Sequence, residues 1–277
     1  MTFRIAQISD THLSDAKPFF VDQFVRTAEA IRQSKPDVVL NSGDITLDGA
    51  SQEGDLAAAR LLHDRLGLPV RFLPGNHDLG DSQDSPGHHE SPIDRARRAR
   101  YVAHFGPDWW WFDVPGWRVL GINAQLLGSD LAETAEQEAA IAEAASGTGD
   151  RRLVLFLHKP LFDRSAGENA ITGRFVNPAP RQRLLAQLGL AAPALVVCGH
   201  VHQFRTSEAN GARHVWGPST AYVIPDRIQP RYGLKEVGYV EHRLEADGTH
   251  DSRFVRVPGM PTLRIENFPQ AYGPIPS

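Results

Sequence analysis

Short apolar, β-branched runs recur along the chain at 5–8, 38–40, 70–73, 119–122, 153–157 and 195–197. Each has the length and composition of a strand buried on both faces. Helix-like segments at 24–31, 56–66, 93–105 and 134–145 fall between them. This alternation predicts an α/β fold. Residues 91–94, Ser-Pro-Ile-Asp, offer a cap, a first-turn proline and an acidic third position, and Thr134 with Gln137 has the capping-box pattern. Gly67 suits a left-handed helix stop. Beyond residue 203 the texture changes: 214–216, 239–244 and 254–257 alternate like antiparallel strands, the last two around an Asp247-Gly248 turn, and predict a second sheet packed on the first.

Five polar clusters stand where the apolar runs end: Asp10-Thr11-His12, Gly43-Asp44, Gly75-Asn76-His77-Asp78, His158, and Gly199-His200-Val201-His202. Ligands of open α/β sheets gather beyond the carboxyl ends of strands, so loops from five strands converge on one place. The donors are carboxylate, imidazole and amide oxygen, which suit manganese, iron or zinc better than copper(I) or an iron–sulfur cluster. Seven candidate ligands exceed one tetrahedral ion and suffice for two if a carboxylate bridges, with Asp44 the natural bridge. Gly43, Gly75 and Gly199 each precede a ligand, where a sharp turn or close approach is expected.

Taken singly, each cluster has a bland reading. Asp10-Thr11-His12 is equally a helix cap, Gly75-Asn76 a turn, His158 a hydrogen-bonded residue at a strand end, and His200 with His202 two same-face residues. Five blocks in order are far more specific. This order resembles the calcineurin-like metallophosphoesterase family, with Asp-x-His, Gly-Asp, Gly-Asn-His-Asp, His and Gly-His-x-His all present over roughly three quarters of the chain. The resemblance implies two packed mixed β-sheets flanked by helices, a four-layer α/β/β/α sandwich. It also implies one metal held by Asp10, His12, Asp44 and His202 and another by Asp44, Asn76, His158 and His200.

The cofactors implied are two divalent ions, manganese or iron first and zinc as an alternative. Two such ions bring four positive charges, which Asp10, Asp44 and a bridging hydroxide reduce by three, leaving a site that attracts phosphate. Ions roughly 3.5–4 Å apart activate the shared hydroxide for in-line displacement. His77 resembles the family's leaving-group acid, and Asp78 is expected to orient it. The core motifs, 7–13 and 199–203, are closest to bacterial cyclic-nucleotide phosphodiesterases of the family, which favours a phosphodiester. Segments 75–81, 105–108 and 122–125 resemble instead a branch containing a protein phosphatase, and Lys159 replaces a second histidine frequent in the cyclic-nucleotide group. The alternatives are therefore a phosphomonoesterase or protein phosphatase and, as a non-enzyme, a metal-stabilised scaffold.

Other features read as structural. His88 and His89 are expected to be exposed loop residues, Trp109 to Trp111 to pack an edge strand, Arg95, Arg97, Arg98 and Arg100 to form a solvated helix face, and Cys198 to be a buried small hydrophobe. Segments 80–90 and 163–180 are read as rims of an active site. The expected division is a domain over 1–257 and an extension over 258–277, which wraps the domain or a partner or stays mobile. A net charge of −4 argues against nonspecific nucleic-acid binding. One cysteine excludes an intrachain disulfide, and no export signal or membrane-length apolar run is recognised, so the expected setting is the cytoplasm. The expected partner is a small phosphate ester, with no membrane, no nucleic acid, and room for a homo-oligomer.

Overall fold

The apolar runs become the parallel strands of two sheets. The computed structural model describes residues 1–82 and 92–273. In chain order the elements are β1 (Thr2–Ile8), α1 (Val21–Ser34), β2 (Val38–Asn41), α2 (Glu53–Asp64), β3 (Val70–Phe72), the one-turn α3 (Asn76–Leu79), α4 (Arg95–Phe105), β4 (Trp110–Val114) and β5 (Trp117–Gly121). They continue with α5 (Ala132–Ser146), β6 (Arg152–Phe156), α6 (Pro178–Leu188), β7 (Leu195–Cys198), β8 (Arg205–Ala209), β9 (Ala212–Trp216), β10 (Tyr239–Glu245), β11 (His250–Val255) and α7 (Pro269–Tyr272).

One sheet has the order β11-β10-β1-β2-β3 and the other β4-β5-β6-β7-β9-β8. Strands β1, β2 and β3 run parallel, as do β5, β6, β7 and β9, while antiparallel pairings add β10 and β11 to the first sheet and β4 and β8 to the edges of the second. The late strands therefore do not make a sheet of their own, as their alternation had predicted. Strands β10 and β11 extend the first sheet beside β1, and β8 and β9 extend the second beside β7. Of the late strands only β8 and β11 are edges, and there one face is wetter, as in β8, where Glu208 is exposed.

Side-chain alternation sorts the four layers. Ile5, Val38 and Leu40 of the first sheet meet Val119, Val154, Phe156, Leu195 and Val197 of the second in the middle of the sandwich. The neighbours Ala6, Ile8 and Val39 face outward onto Phe24, Ala28 and Leu56 of the helices α1 and α2. On the other side Leu120, Leu155 and Val196 face Ile141 and Leu184 of α5 and α6. Each such side chain taken fully out of water contributes roughly 1.5–3 kcal/mol. Trp117 is also fully buried and ties the sheets together, its Nε1 donating to Glu245 O at 2.7 Å.

Local signals fare unevenly. Helix α4 starts three residues later than its motif implied: Asp94 accepts from Arg97 N at 2.8 Å, so Asp94 is the cap, and Ser91 lies outside the described residues. Gln137 makes no capping box, because its side chain clasps the backbone of Asn123 through both its oxygen and its nitrogen, at 2.7 and 3.0 Å. The polar segment 163–180 ends early, since Pro178 to Pro180 open α6, where proline's missing N–H costs nothing. The arginine run is not simply a solvated face. Arg98 makes a bidentate pair with Asp108, 2.8 Å on each arm, and Arg97 and Arg100 bind Ala50 O. Trp110 and Trp111 lie on the edge strand β4, as expected, and Cys198 is buried. Residues 88 and 89 fall outside the described residues. No helix among the described residues is long and apolar enough to cross a membrane.

Candidate metal centre

Because β1, β2 and β3 run parallel in one sheet, and β6 and β7 in the other, their carboxyl ends deliver the five polar clusters to one end of the sandwich. The resulting contacts fall into linked groups. Asp10, His12 and His202 gather their ligand atoms, as do Asp44, His158 and His200, and Asp44 also joins His12 and His77. His202 Nε2 lies 3.3 Å from Asp10 Oδ1, His12 Nε2 lies 3.3 Å from His202 Nε2, and His158 Nε2 lies 3.2 Å from both Asp44 Oδ2 and His200 Nδ1. Asn76 opens α3 and lines the same cleft as Asp44, His200 and His202. All seven residues named from the sequence thus reach one place, with Asp44 between the two groups.

The backbone is shaped for this purpose. Among the described residues, seven non-glycine residues have left-handed φ values, and five of them are Asp10, His12, Asp44, His200 and His202. Such conformations cost on the order of 1–3 kcal/mol each and persist where surrounding contacts over-determine them. Here Asp10 N donates to Gly43 O, His12 N to Asp44 O and Thr220 N to Ser9 O, locking the loops together. Gly43 has φ +107, and a methyl there would sit 2.5 Å from His158 Nδ1. Gly75 has ordinary φ but presses on Asp44 so closely that a methyl would overlap its carboxylate.

The polar atoms left over are what a cation would use. Asp10 Oδ1 and Asn76 Oδ1 are buried and hydrogen-bond to nothing, a costly arrangement for a carboxylate and an amide unless an ion completes it. Ring nitrogens face one another at 3.2–3.3 Å across the cleft, His12 with His202 and His158 with His200. The donor set is oxygen and imidazole nitrogen, so the residues present fit two divalent ions. Without cations the charges compensate one another. Burial by itself would lower His158, yet the Asp44 carboxylate outweighs it and pushes the ring up to about 9. Burial would raise Asp44, but the His158 and His77 rings hold it well below the usual carboxylate range. Burial, with His77 next, depresses His12 strongly.

His77 reaches the centre with Nδ1 against Leu47 O at 3.0 Å, leaving Nε2 on the Asp44 side. The expectation that Asp78 orients this ring is corrected. The Asp78 carboxylate accepts from Gly75 N, Ile45 N, Thr46 N and Thr46 Oγ1, stapling the β2 and β3 loops together. Its pKa rises to about 6, from burial and then from the Asp44 charge.

Two tyrosines escaped the sequence reading. Tyr222 packs against His12 and His202 with ring centroids 4.9 and 4.7 Å away, and its hydroxyl is 3.3 Å from His12 Nε2. Tyr272 places its hydroxyl 2.6 Å from His12 Nδ1. The signal for Tyr222 was its place after β9, whose parallel course aims its carboxyl end at the same site. Segment 163–177 does form a rim: Ile171, Gly173 and Arg174 line the metal-side cleft, a cavity of about 430 Å³. A second cavity of about 510 Å³, lined by Lys17, Asp48, Gln52, Arg97 and Tyr272, shares His77 with the first. Lys159 is buried and ion-paired with Asp81.

A family model described as calcineurin-like phosphoesterase matches residues 3–204. The chain is 27% identical over 269 residues to the 3',5'-cyclic adenosine monophosphate phosphodiesterase CpdA of Escherichia coli strain K12, covering 89% of this chain and 86% of that protein. It is 24% identical to a probable glycerophosphodiester phosphodiesterase GpdQ of Arcobacter nitrofigilis, covering 86% and 91%. Among solved structures, a dimetal phosphatase from Danio rerio superposes with a TM-score of 0.63 at 13% identity, covering 91% of this chain and 96% of that one, a likeness of fold.

Proposed function

Since the chain belongs to the calcineurin-like phosphoesterase family, we propose that it is a phosphodiesterase working through two divalent ions. The observation that carries the reading is the convergence of seven side chains from five strand ends, with Asp10 Oδ1 and Asn76 Oδ1 left without hydrogen-bond partners. Asp10, His12, Asp44 and His202 would hold one ion, and Asp44, Asn76, His158 and His200 the other. Manganese or iron suits this oxygen and imidazole set. When bound, such a pair supplies an activated water and stabilises charge on both sides of an in-line displacement. His77 donates its Nδ1 proton to Leu47 O, so it would act as the doubly protonated ring, passing the second proton, at Nε2, to the departing oxygen.

The preference for diesters draws support from the two cavities that meet at His77. A diester carries an organic group on each side of phosphorus, and each group then has a cavity. The exposed side chains of Ile171 and Ile228 give the metal-side cleft an apolar wall, with Arg174 beside it for the phosphate. The descriptions of the Escherichia coli and Arcobacter relatives point the same way. Asp44 and His77 are both in place, which favours an enzyme over a metal-stabilised scaffold. The single buried cysteine suits a reducing cytoplasm.

The test is turnover by the manganese-loaded protein of bis-para-nitrophenyl phosphate, para-nitrophenyl phosphate and cyclic AMP. Diester hydrolysis is expected to lead. Monoester turnover ahead of both diesters by orders of magnitude would reject the assignment in favour of a phosphomonoesterase.

A further inference from the structure

We infer that the C-terminal segment completes the metal centre, with the Tyr272 hydroxyl holding His12 in the tautomer that leaves Nε2 free for a cation. The inference rests on reading the cleft as a dinuclear centre, and adds to it a positioning residue far outside the family match, which ends at residue 204.

Each of the four candidate ring ligands turns one nitrogen into the cleft and the other away. For three of them the outward nitrogen meets a main-chain carbonyl: His158 Nδ1 with Ser42 O at 2.8 Å, His202 Nδ1 with Tyr222 O at 2.9 Å, and His200 Nε2 with Gly173 O at 3.0 Å. A carbonyl only accepts, so it fixes the proton outward and the lone pair inward. His12 is the exception. Its Nδ1 meets the hydroxyl of Tyr272, 260 positions away. The opposite nitrogen, Nε2, faces His202 Nε2 and the Tyr222 hydroxyl, each at 3.3 Å. For that nitrogen to keep its lone pair, Nδ1 must carry the proton and the Tyr272 oxygen must accept it.

The tyrosine is delivered by a chain of anchors. Gln23 Nε2 donates to Pro261 O at 2.7 Å, Val223 N to Leu263 O at 2.9 Å and Ile265 N to Val223 O at 3.1 Å. Lys17 Nζ donates to Ala271 O at 2.9 Å, and Ala271 is buried in a cluster with Phe20, Leu47 and Tyr222. The Tyr272 ring then lies 5.2 Å from the His77 ring, between centroids. The extension at 258–273 is therefore tied to the domain along its length and ends on a candidate ligand.

Tyr272→Phe removes the hydroxyl and keeps the ring, at a residue that is 40% exposed. The experiment is a calorimetric titration of manganese into the full-length metal-free protein, wild type and Tyr272→Phe, with thermal unfolding of both metal-free forms. Two binding steps are expected for the wild type. In the variant the step that uses His12 should weaken by about 10-fold or more, with the other step and the metal-free unfolding temperature as in the wild type. Identical binding by the two proteins would overturn the role of the hydroxyl while leaving the metal centre standing. Equal weakening of both steps, with a lower unfolding temperature, would make Tyr272 a packing residue and also overturn it. A wild type that takes up no manganese would remove the metal centre and this inference together.

Discussion

His77 approaches Asp44 twice: its backbone N–H donates to Oδ1 at 2.9 Å, and its ring Nε2 stands 4.0 Å from Oδ2. The main-chain bond fixes the bridging carboxylate, and the ring faces the same place from the side where a leaving group would depart. Binding and proton transfer are thereby divisible by substitution. Asp44→Ala should abolish metal content and turnover together. His77→Ala should keep the metal, measured by elemental analysis, and lose about 10²–10⁴-fold in kcat, least for a para-nitrophenolate leaving group that needs no proton. Unchanged hydrolysis of an ester with a poor leaving group by His77→Ala would remove the acid assignment.

Gly75 bears on Asp44 from the other side. Its φ of −104° is open to any residue, so the glycine is needed for space. Gly75→Ala should push the Asp44 carboxylate off its position, with an overpacking cost of about 1–3 kcal/mol. Loss of manganese binding with the fold retained, followed by elemental analysis and circular dichroism, is the expected result. An alanine variant that binds metal like the wild type would show that the loop relaxes around the methyl.

Behind His158, Lys159 and Asp81 form an ion pair in which the side chains are only 1% and 2% exposed. A buried pair is broken at greater cost than it is replaced, because the surviving charge is left without water. Asp81→Asn should destabilise the protein by roughly 3–5 kcal/mol in urea unfolding, and the double variant Asp81→Asn, Lys159→Met should recover most of it. A double variant no more stable than the single one would mean that the pair does more than neutralise itself.

How much of this was legible in the sequence depends on how local each signal is. Asp10, His12, Asp44, Asn76, His158, His200 and His202 were visible because each sits at the end of an apolar run, and parallel strands deliver such ends to a common edge. The strand direction of β9 was hidden, since it pairs parallel with β7 on one side and antiparallel with β8 on the other, and its residues alone do not tell the two apart; Tyr222 was missed with it. Tyr272 meets His12 across 260 positions of chain, a contact that exists only once Gln23, Val223 and Lys17 have anchored the extension. The role expected for Asp78 failed for a related reason: adjacency to His77 in sequence placed it on α3, but the unpaired N–H groups of Gly75, Ile45 and Thr46 claimed its carboxylate.

Away from the metal centre, His242 sets a dependence on pH. It lies on β10, fully buried, with Nδ1 2.8 Å from Ser252 Oγ and Nε2 3.1 Å from Gln7 Oε1. Burial, and next the charge of His250, pull its pKa from 6.5 down to about 3. In the unfolded chain the same ring returns to 6.5, so between pH 6.5 and about 3 the unfolded state binds the extra proton. The contribution is thus fully present above pH 6.5 and is lost as pH falls toward the folded value. At pH 5 the loss from this one group is roughly 2 kcal/mol. His242→Gln, which keeps an amide near Gln7 and Ser252 but cannot titrate, should therefore show a shallower fall in urea-unfolding free energy from pH 7 to pH 5 than the wild type, by about that amount. Part of the remaining slope would come from His63 and His214, both lowered to about 4 chiefly by burial. Equal slopes for the two proteins would mean that the His242 ring already carries its proton in the folded state at pH 5.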